Sequence, residues 1–129
     1  MKQGQGVQAY KALRKIMAQD TSLPVSKKVF DLQEKLQPVW DFQLSEEQKI
    51  ALRHPIVDPR TASVHYKTDD EEEKQKALDE LDAFTKELET LSELETEVSI
   101  TPFTIHMDEE NIKIAGNDVK ALKGIIEFE

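Results

Sequence analysis

Apolar positions along the chain change period twice, and the changes divide it into elements. In "QGVQAYKALRKIM", Val7, Tyr10, Leu13 and Met17 return at steps of three, three and four, which is one face of a helix. Lys11, Arg14 and Lys15 fall off that face. The spacing predicts a helix over residues 5–18, broken by "AQDTSLP". Pro24 cannot extend that helix but suits the first turn of the next. Val25, Val29, Leu32, Leu36 and Val39 then repeat at steps of four, three, four and three. Pro38 sits inside this pattern and lacks the N–H a helix interior needs, at a cost of about 3 kcal/mol. Further on, Ser45 and Gln48 form a capping-box pattern and Pro55 a stop. The expectation is a second helix over residues 25–53, kinked or briefly broken near residues 38–44.

Residues 54–67 hold two prolines and no helical period, so they read as a loop, with room for a short strand near Val64. Five acids follow, Asp69 to Glu73. Such a run can be a metal site, a mimic of nucleic-acid phosphate, or a solvated helix start. Thr68 with Glu71 makes a capping box, and Ala77, Leu81, Phe84, Leu88 and Leu91 then hold heptad spacing. A helix over residues 69–96 is predicted, its first-turn acids facing free backbone N–H groups and the positive end of the macrodipole. Beyond it the period shortens to two, through Val98 and Ile100, through Phe103, Ile105 and Met107, and through Ile112 and Ile114. With "DEEN" as a turn, this predicts a hairpin with strands over residues 97–107 and 111–115, the first bent or placed at an edge by Pro102. A short helix over residues 117–123 should start at Asn117 as N-cap and end before Gly124. "IIEFE" either packs apolar side chains or adds an edge strand. The predicted class is mainly α (α+β). It is a single domain holding a helical hairpin or small bundle with a long heptad-patterned helix, then a small β-hairpin and a short helix.

Composition narrows the function. Apolar residues make up 38% of the chain and charged residues 33%, which implies a thin core and elongated helices. The absence of cysteine removes thiol catalysis, disulfides and Cys-based metal sites. No apolar run approaches the ~18–20 residues of a membrane span, and "MKQGQGVQAYKAL" lacks the apolar core of a signal peptide. A cytoplasmic protein without membrane contact is expected. The net charge of −9 is unevenly shared: residues 1–67 hold eleven Lys/Arg against seven Asp/Glu, a net +4, and residues 68–129 six against nineteen, a net −13. This balance argues against direct nucleic-acid binding and allows the basic half of one copy to dock on the acidic half of another.

No chemistry-bearing motif stands out. His54, His65 and His106 fall in different elements without ligand spacing and read as ordinary surface or edge histidines. "DEEN" lacks the alternating ligands of a calcium loop, and Gly4, Gly6, Gly116 and Gly124 compose no phosphate loop. No catalytic residue, metal, cofactor or small-molecule substrate is expected. Three features remain. Trp40, in "PVWDF" beside Pro38 and Phe42, is either a core plug at a kink or an anchor for a partner. Arg60 and Tyr66 give the loop over residues 54–67 two side chains favoured in binding hot spots. Leu81, Phe84, Leu88 and Leu91 form a stripe to be covered by the helix over residues 25–53 or, as a self-association face, by another copy.

The stretches "LPVSKKVFDLQEKL", "LDELDAFTKELETLSELETEVSI" and "IKIAGNDVKALKGIIEFE", in this order, resemble a family of small proteins of unknown function coded by tailed bacteriophages and prophages. The resemblance covers residues 10–129. Family members keep the second helix unbroken, whereas Pro38 interrupts it here, and the loop "HPIVDPRTASVHYK" replaces a Gly/Asp-rich one. The resemblance implies a non-enzymatic phage or prophage protein acting through protein contacts, in a homo-oligomer or a virion or assembly complex. The alternative is a host-directed inhibitor, an acidic nucleic-acid mimic or anti-defence protein, suggested by the charge of the second half.

Overall fold

A computed structural model describes residues 1–65 and 69–129. The elements run α1 (Gln3–Met17), α2 (Leu23–Arg53), β1 (Val57–Asp58), β2 (Ser63–Val64), α3 (Glu71–Glu93), β3 (Phe103–Ile105), α4 (Gly116–Ala121) and β4 (Ile126–Phe128). The chain is mainly helical, with a long α2 and small strands and a short helix near its end.

Helix α1 buries Val7, Tyr10 and Leu13, as its spacing requires, but Ile16 rather than Met17 closes that face. It also buries Gly6, Ala9 and Ala12, because α2, α3 and α4 all pack against it. Two glycines make this close approach possible. A Cβ on Gly6 would lie 2.8 Å from Val39 Cγ1 of α2, and one on Gly4 would lie 3.1 Å from Ser92 Cβ of α3. Glycine costs a helix interior about 1 kcal/mol relative to alanine, and here that cost accompanies the seating of α1 between its two neighbours.

Helix α2 passes through Pro38 without a break, so of the kink or break expected near residues 38–44 the break does not form. Ser45 and Gln48 accordingly lie inside a continuous helix and cap nothing. The proline removes one helical hydrogen bond, but contacts around it hold the rod: Val39 is buried against Gly6, and Trp40 stacks on Tyr10. At ~1.5 Å per residue the 31-residue helix spans roughly 46 Å. Its first two-thirds bury Val29, Leu32, Leu36 and Val39 in the main core, with Leu13, Ile16, Ile105, Leu122 and Ile126. Its last third contributes Ile50 to a second, smaller cluster with Val57, Phe84 and Leu91.

The acid run begins α3. Asp70 is the N-cap, its side chain accepting from the Glu72 N–H at 3.0 Å, and Glu71, Glu72 and Glu73 fill the first turn. The helix thus starts two residues later than expected and ends at Glu93 rather than residue 96. Thr68, the cap expected from the sequence, lies outside the described residues. Within the segment over residues 54–67, β1 and β2 pair antiparallel, Val57 opposite Val64.

The predicted hairpin of residues 97–107 and 111–115 does not form. Instead β3 pairs in parallel with β4, Phe103 opposite Ile126 and Ile105 opposite Phe128, with α4 in the crossover. The reason lies in Gln19, just past α1. Its side-chain amide donates to the Lys113 carbonyl at 2.8 Å and accepts from the Lys113 N–H at 2.7 Å. A glutamine thus takes both backbone groups that a strand partner would need, while Ile112 turns into the core. Glu110 is pinned nearby, accepting from the Ser22 N–H at 2.9 Å and from the Ser22 hydroxyl, and these bonds hold its carboxyl below the usual range. The short helix forms at residues 116–121, preceded by Ala115 rather than Asn117 as N-cap. Gly124 follows with φ +80°, the left-handed turn that leads into β4.

Replacing Gly6 with alanine should separate packing from propensity. Propensity alone favours alanine by about 1 kcal/mol, whereas overpacking costs about 1–3 kcal/mol. Urea unfolding of Gly6→Ala should show a net loss of up to about 2 kcal/mol; a gain would mean that α1 and α2 do not meet at this residue.

Candidate functional site

The sequence candidates are distributed over the fold rather than gathered in one site. Trp40 packs partly buried against the main core, its ring 4.9 Å from that of Tyr10 and inclined by 18°. The Tyr10 hydroxyl donates to Gln37 Oε1 at 2.7 Å, and Lys11 Nζ lies 6.0 Å over the indole. Trp40 therefore braces α1 against α2 just beyond Pro38. Arg60 is exposed in the turn between β1 and β2, its backbone N–H donating to Asp58 Oδ1 at 2.9 Å. Tyr66 lies outside the described residues. The stripe on α3 is covered within the chain: Phe84 and Leu91 are buried with Ile50 and Val57, and Leu81 and Leu88 pack against them with Val64. Helix α2 and the β1–β2 hairpin thus occupy the face expected to serve self-association.

Sequence reasoning passed over a polar cluster at the end of α2. His54 follows the last residue of α2, its ring largely buried. Its Nδ1 is 2.6 Å from Glu80 Oε1 and its Nε2 2.5 Å from Glu87 Oε2, both on α3. The ring of Phe84 meets it edge-on at 6.0 Å. Arg53 joins through Nη2, 2.9 Å from Glu87 Oε1. Glu80, Phe84 and Glu87 share one face of α3 through steps of four and three. An imidazole can give a hydrogen to both carboxylates only when doubly protonated. The bonds to Glu80 and then Glu87 raise the His54 pKa above its ordinary 6.5. The bonds from His54 and then Arg53 hold Glu87 below the usual carboxylate range. With both nitrogens engaged, this ring is a clamp between α2 and α3 rather than a general base. The one signal in the sequence is the position of His54, between a helix end and Pro55.

A second feature runs along the back of α2. Leu23, Phe30, Leu44 and Leu52 are exposed, Leu23 at 85% and Leu52 at 75%. Their steps of seven, fourteen and eight return to one helix face, opposite the face that buries Leu32, Val39 and Ile50. The period of this stripe is as visible in the sequence as that of the buried face.

Among the described residues, no helix is long and apolar enough to cross a membrane. No family model, no curated protein and no solved structure matches this chain.

Because the folded-state pKa of His54 is raised, its contribution to stability is complete below the unfolded imidazole value and disappears as pH rises through the folded value. The lowered pKa of Glu87 adds stability above its unfolded value, lost as pH falls through the folded one. The clamp is therefore strongest between these limits. An NMR titration should place the His54 imidazole above 6.5, and the stability difference between wild type and His54→Gln should shrink as pH rises through that value. An imidazole titrating at or below 6.5 would contradict the clamp.

Proposed function

We propose that this chain is a non-enzymatic protein of phage or prophage type that acts through protein contacts, self-associating within an oligomer or virion assembly in the bacterial cytoplasm. The observation that carries this reading is the exposed stripe of α2. Taking Gln37 as centre, Phe30 and Leu44 lie seven residues to either side, and Leu23 and Leu52 lie fourteen before and fifteen after. Such spacing suits an isologous pairing of two antiparallel α2 helices, with Leu23 of one copy meeting Leu52 of the other, and Phe30 meeting Leu44. Glu34 and Asp41 lie near the same centre and would oppose each other across the axis. Salt, which screens that repulsion, should therefore strengthen the pairing.

A second reading, host-directed inhibition by phosphate mimicry, draws on α3, where nine Asp/Glu stand against three Lys between Glu71 and Glu93. It needs the acidic helix and not the stripe on α2, so changes in the stripe would leave it intact.

Light scattering at high micromolar concentration should give a mass above that of one chain, rising with salt. Leu44→Glu with Leu52→Glu should reduce it to one chain without loss of helix content, since both residues are exposed in the single chain. Wild type with the mass of one chain at every salt concentration would remove self-association through α2.

A further inference from the structure

A hollow of about 880 Å³ lies where the start of α1 meets α4 and the segment that follows α3. Its size falls within the ~300–1,000 Å³ common to small-molecule sites. The floor is aliphatic: Val98 and Ile100 from the segment after α3, Ala121 of α4, and Ile125 beyond the Gly124 turn. All four belong to the main core or pack against it, so the fold itself fixes the floor. Lys120 and Lys123 stand at the α4 side, and Gln8 and Asn117 add amides beside them.

None of the twelve residues around this hollow is acidic, although residues 68–129 carry a net −13. The acids nearest in sequence are engaged elsewhere. Asp118 accepts from Lys15 Nζ at 3.2 Å, Glu95 Oε2 lies 3.8 Å from the Met1 amine, and Glu97 lines a different hollow with Lys35 and Phe42. Glu127 lines the neighbouring groove, which Phe103 and Phe128 also border. Neither Lys120 nor Lys123 is held in an ion pair among the described residues. The lining holds no aromatic ring. These residues select by chemistry. A cation meets no carboxylate here, and a planar base meets no ring face. An aliphatic chain meets a floor of its own kind, and a carboxylate at its end meets two ammonium groups.

We propose that this hollow binds a free medium-chain aliphatic carboxylate, its chain on Val98, Ile100 and Ile125 and its head group at Lys120 and Lys123. Burial of the chain supplies affinity, and the two lysines supply the choice of an anion over an alcohol or an amine. The inference goes beyond the reading of the chain as a contact protein, and it uses neither the α2 stripe nor the acidic helix α3.

Methyl NMR of the full chain, titrated with decanoate, decanol and decylammonium, tests the site. Decanoate should shift the methyls of Val98, Ile100 and Ile125 and leave those of Val29 and Leu36, deep in the main core, in place. Decanol should bind about tenfold more weakly, the order expected for two lost contacts to part-exposed charges, and decylammonium more weakly still. Lys120→Gln with Lys123→Gln should keep the fold, since both side chains are exposed, and should bind decanoate no better than decanol. Any of four results would overturn the proposal: no shift at low-millimolar decanoate, equal binding of decylammonium, shifts spread through the core as a detergent gives, or a glutamine variant that still prefers decanoate. Retention on vesicles of anionic lipid without a response to free decanoate would also overturn it, in favour of a membrane surface. Leu44→Glu with Leu52→Glu should leave decanoate binding unchanged, so failure here and failure of α2 pairing are read separately.

Discussion

The side chain of Gln3, almost fully buried, is the interaction on which the arrangement of the helices depends. Its Nε2 donates to the Val39 carbonyl at 2.8 Å and to Gln43 Oε1 at 3.3 Å, both on α2. Its Oε1 accepts from the Thr96 hydroxyl at 3.2 Å, and its backbone N–H donates to the Leu94 carbonyl at 2.7 Å. One residue thus joins α1, α2 and the end of α3. The bonds continue on both sides: Gln43 Nε2 donates to Glu47 at 2.7 Å, and the Met1 amine to the Thr96 carbonyl at 3.1 Å. A buried amide left without partners costs about 1–3 kcal/mol, so the network admits little choice of geometry. Gly4 and Gly6 follow from the same constraint, since the amide reaches both neighbours only if α1 approaches each of them closely.

The charged half of the chain hangs on this junction. The main core holds α1, most of α2 and the C-terminal unit, whereas α3 contributes Phe84 and Leu91 to the smaller cluster. Helix α3 is thus tied around its middle by Glu80 and Glu87 to His54, and just past its C-terminal end by Leu94 and Thr96 to Gln3. Polar contacts of high specificity supplement a thin apolar interface, as expected for a chain one-third charged. The back of α2 is a surface left over, where Leu23, Phe30, Leu44 and Leu52 stay exposed.

Much of the helical frame was legible because periodicity reports burial directly. Val7, Tyr10 and Leu13 on α1, Val29 to Val39 on α2, and Ala77, Phe84 and Leu91 on α3 are buried where their spacing places them. What escaped depends on partners distant in sequence. Pro38 reads locally as a break, and only the stacking of Trp40 on Tyr10 and the seating of Val39 against Gly6 explain continuity. Residues 111–115 alternate like a strand, yet the Gln19 amide occupies the backbone of Lys113, and residues 126–128 pair with β3 instead. His54 looked ordinary because its two carboxylates lie 26 and 33 residues away. Of the candidate residues, Trp40 has a clear structural place, and the stripe on α3 is occupied within the chain.

If Gln3 governs the junction, cutting its amide should loosen α3 before the rest. Native-state amide hydrogen exchange on Gln3→Ala measures this element by element. The account predicts that amides of α3 lose protection well ahead of those in α1, the first two-thirds of α2 and β3–β4, with the main core still folded. Equal loss of protection across all elements, or none in α3, would contradict the claim that the Gln3 side chain helps to hold the end of the acidic helix to the core, beside the His54 clamp and the apolar cluster on α3.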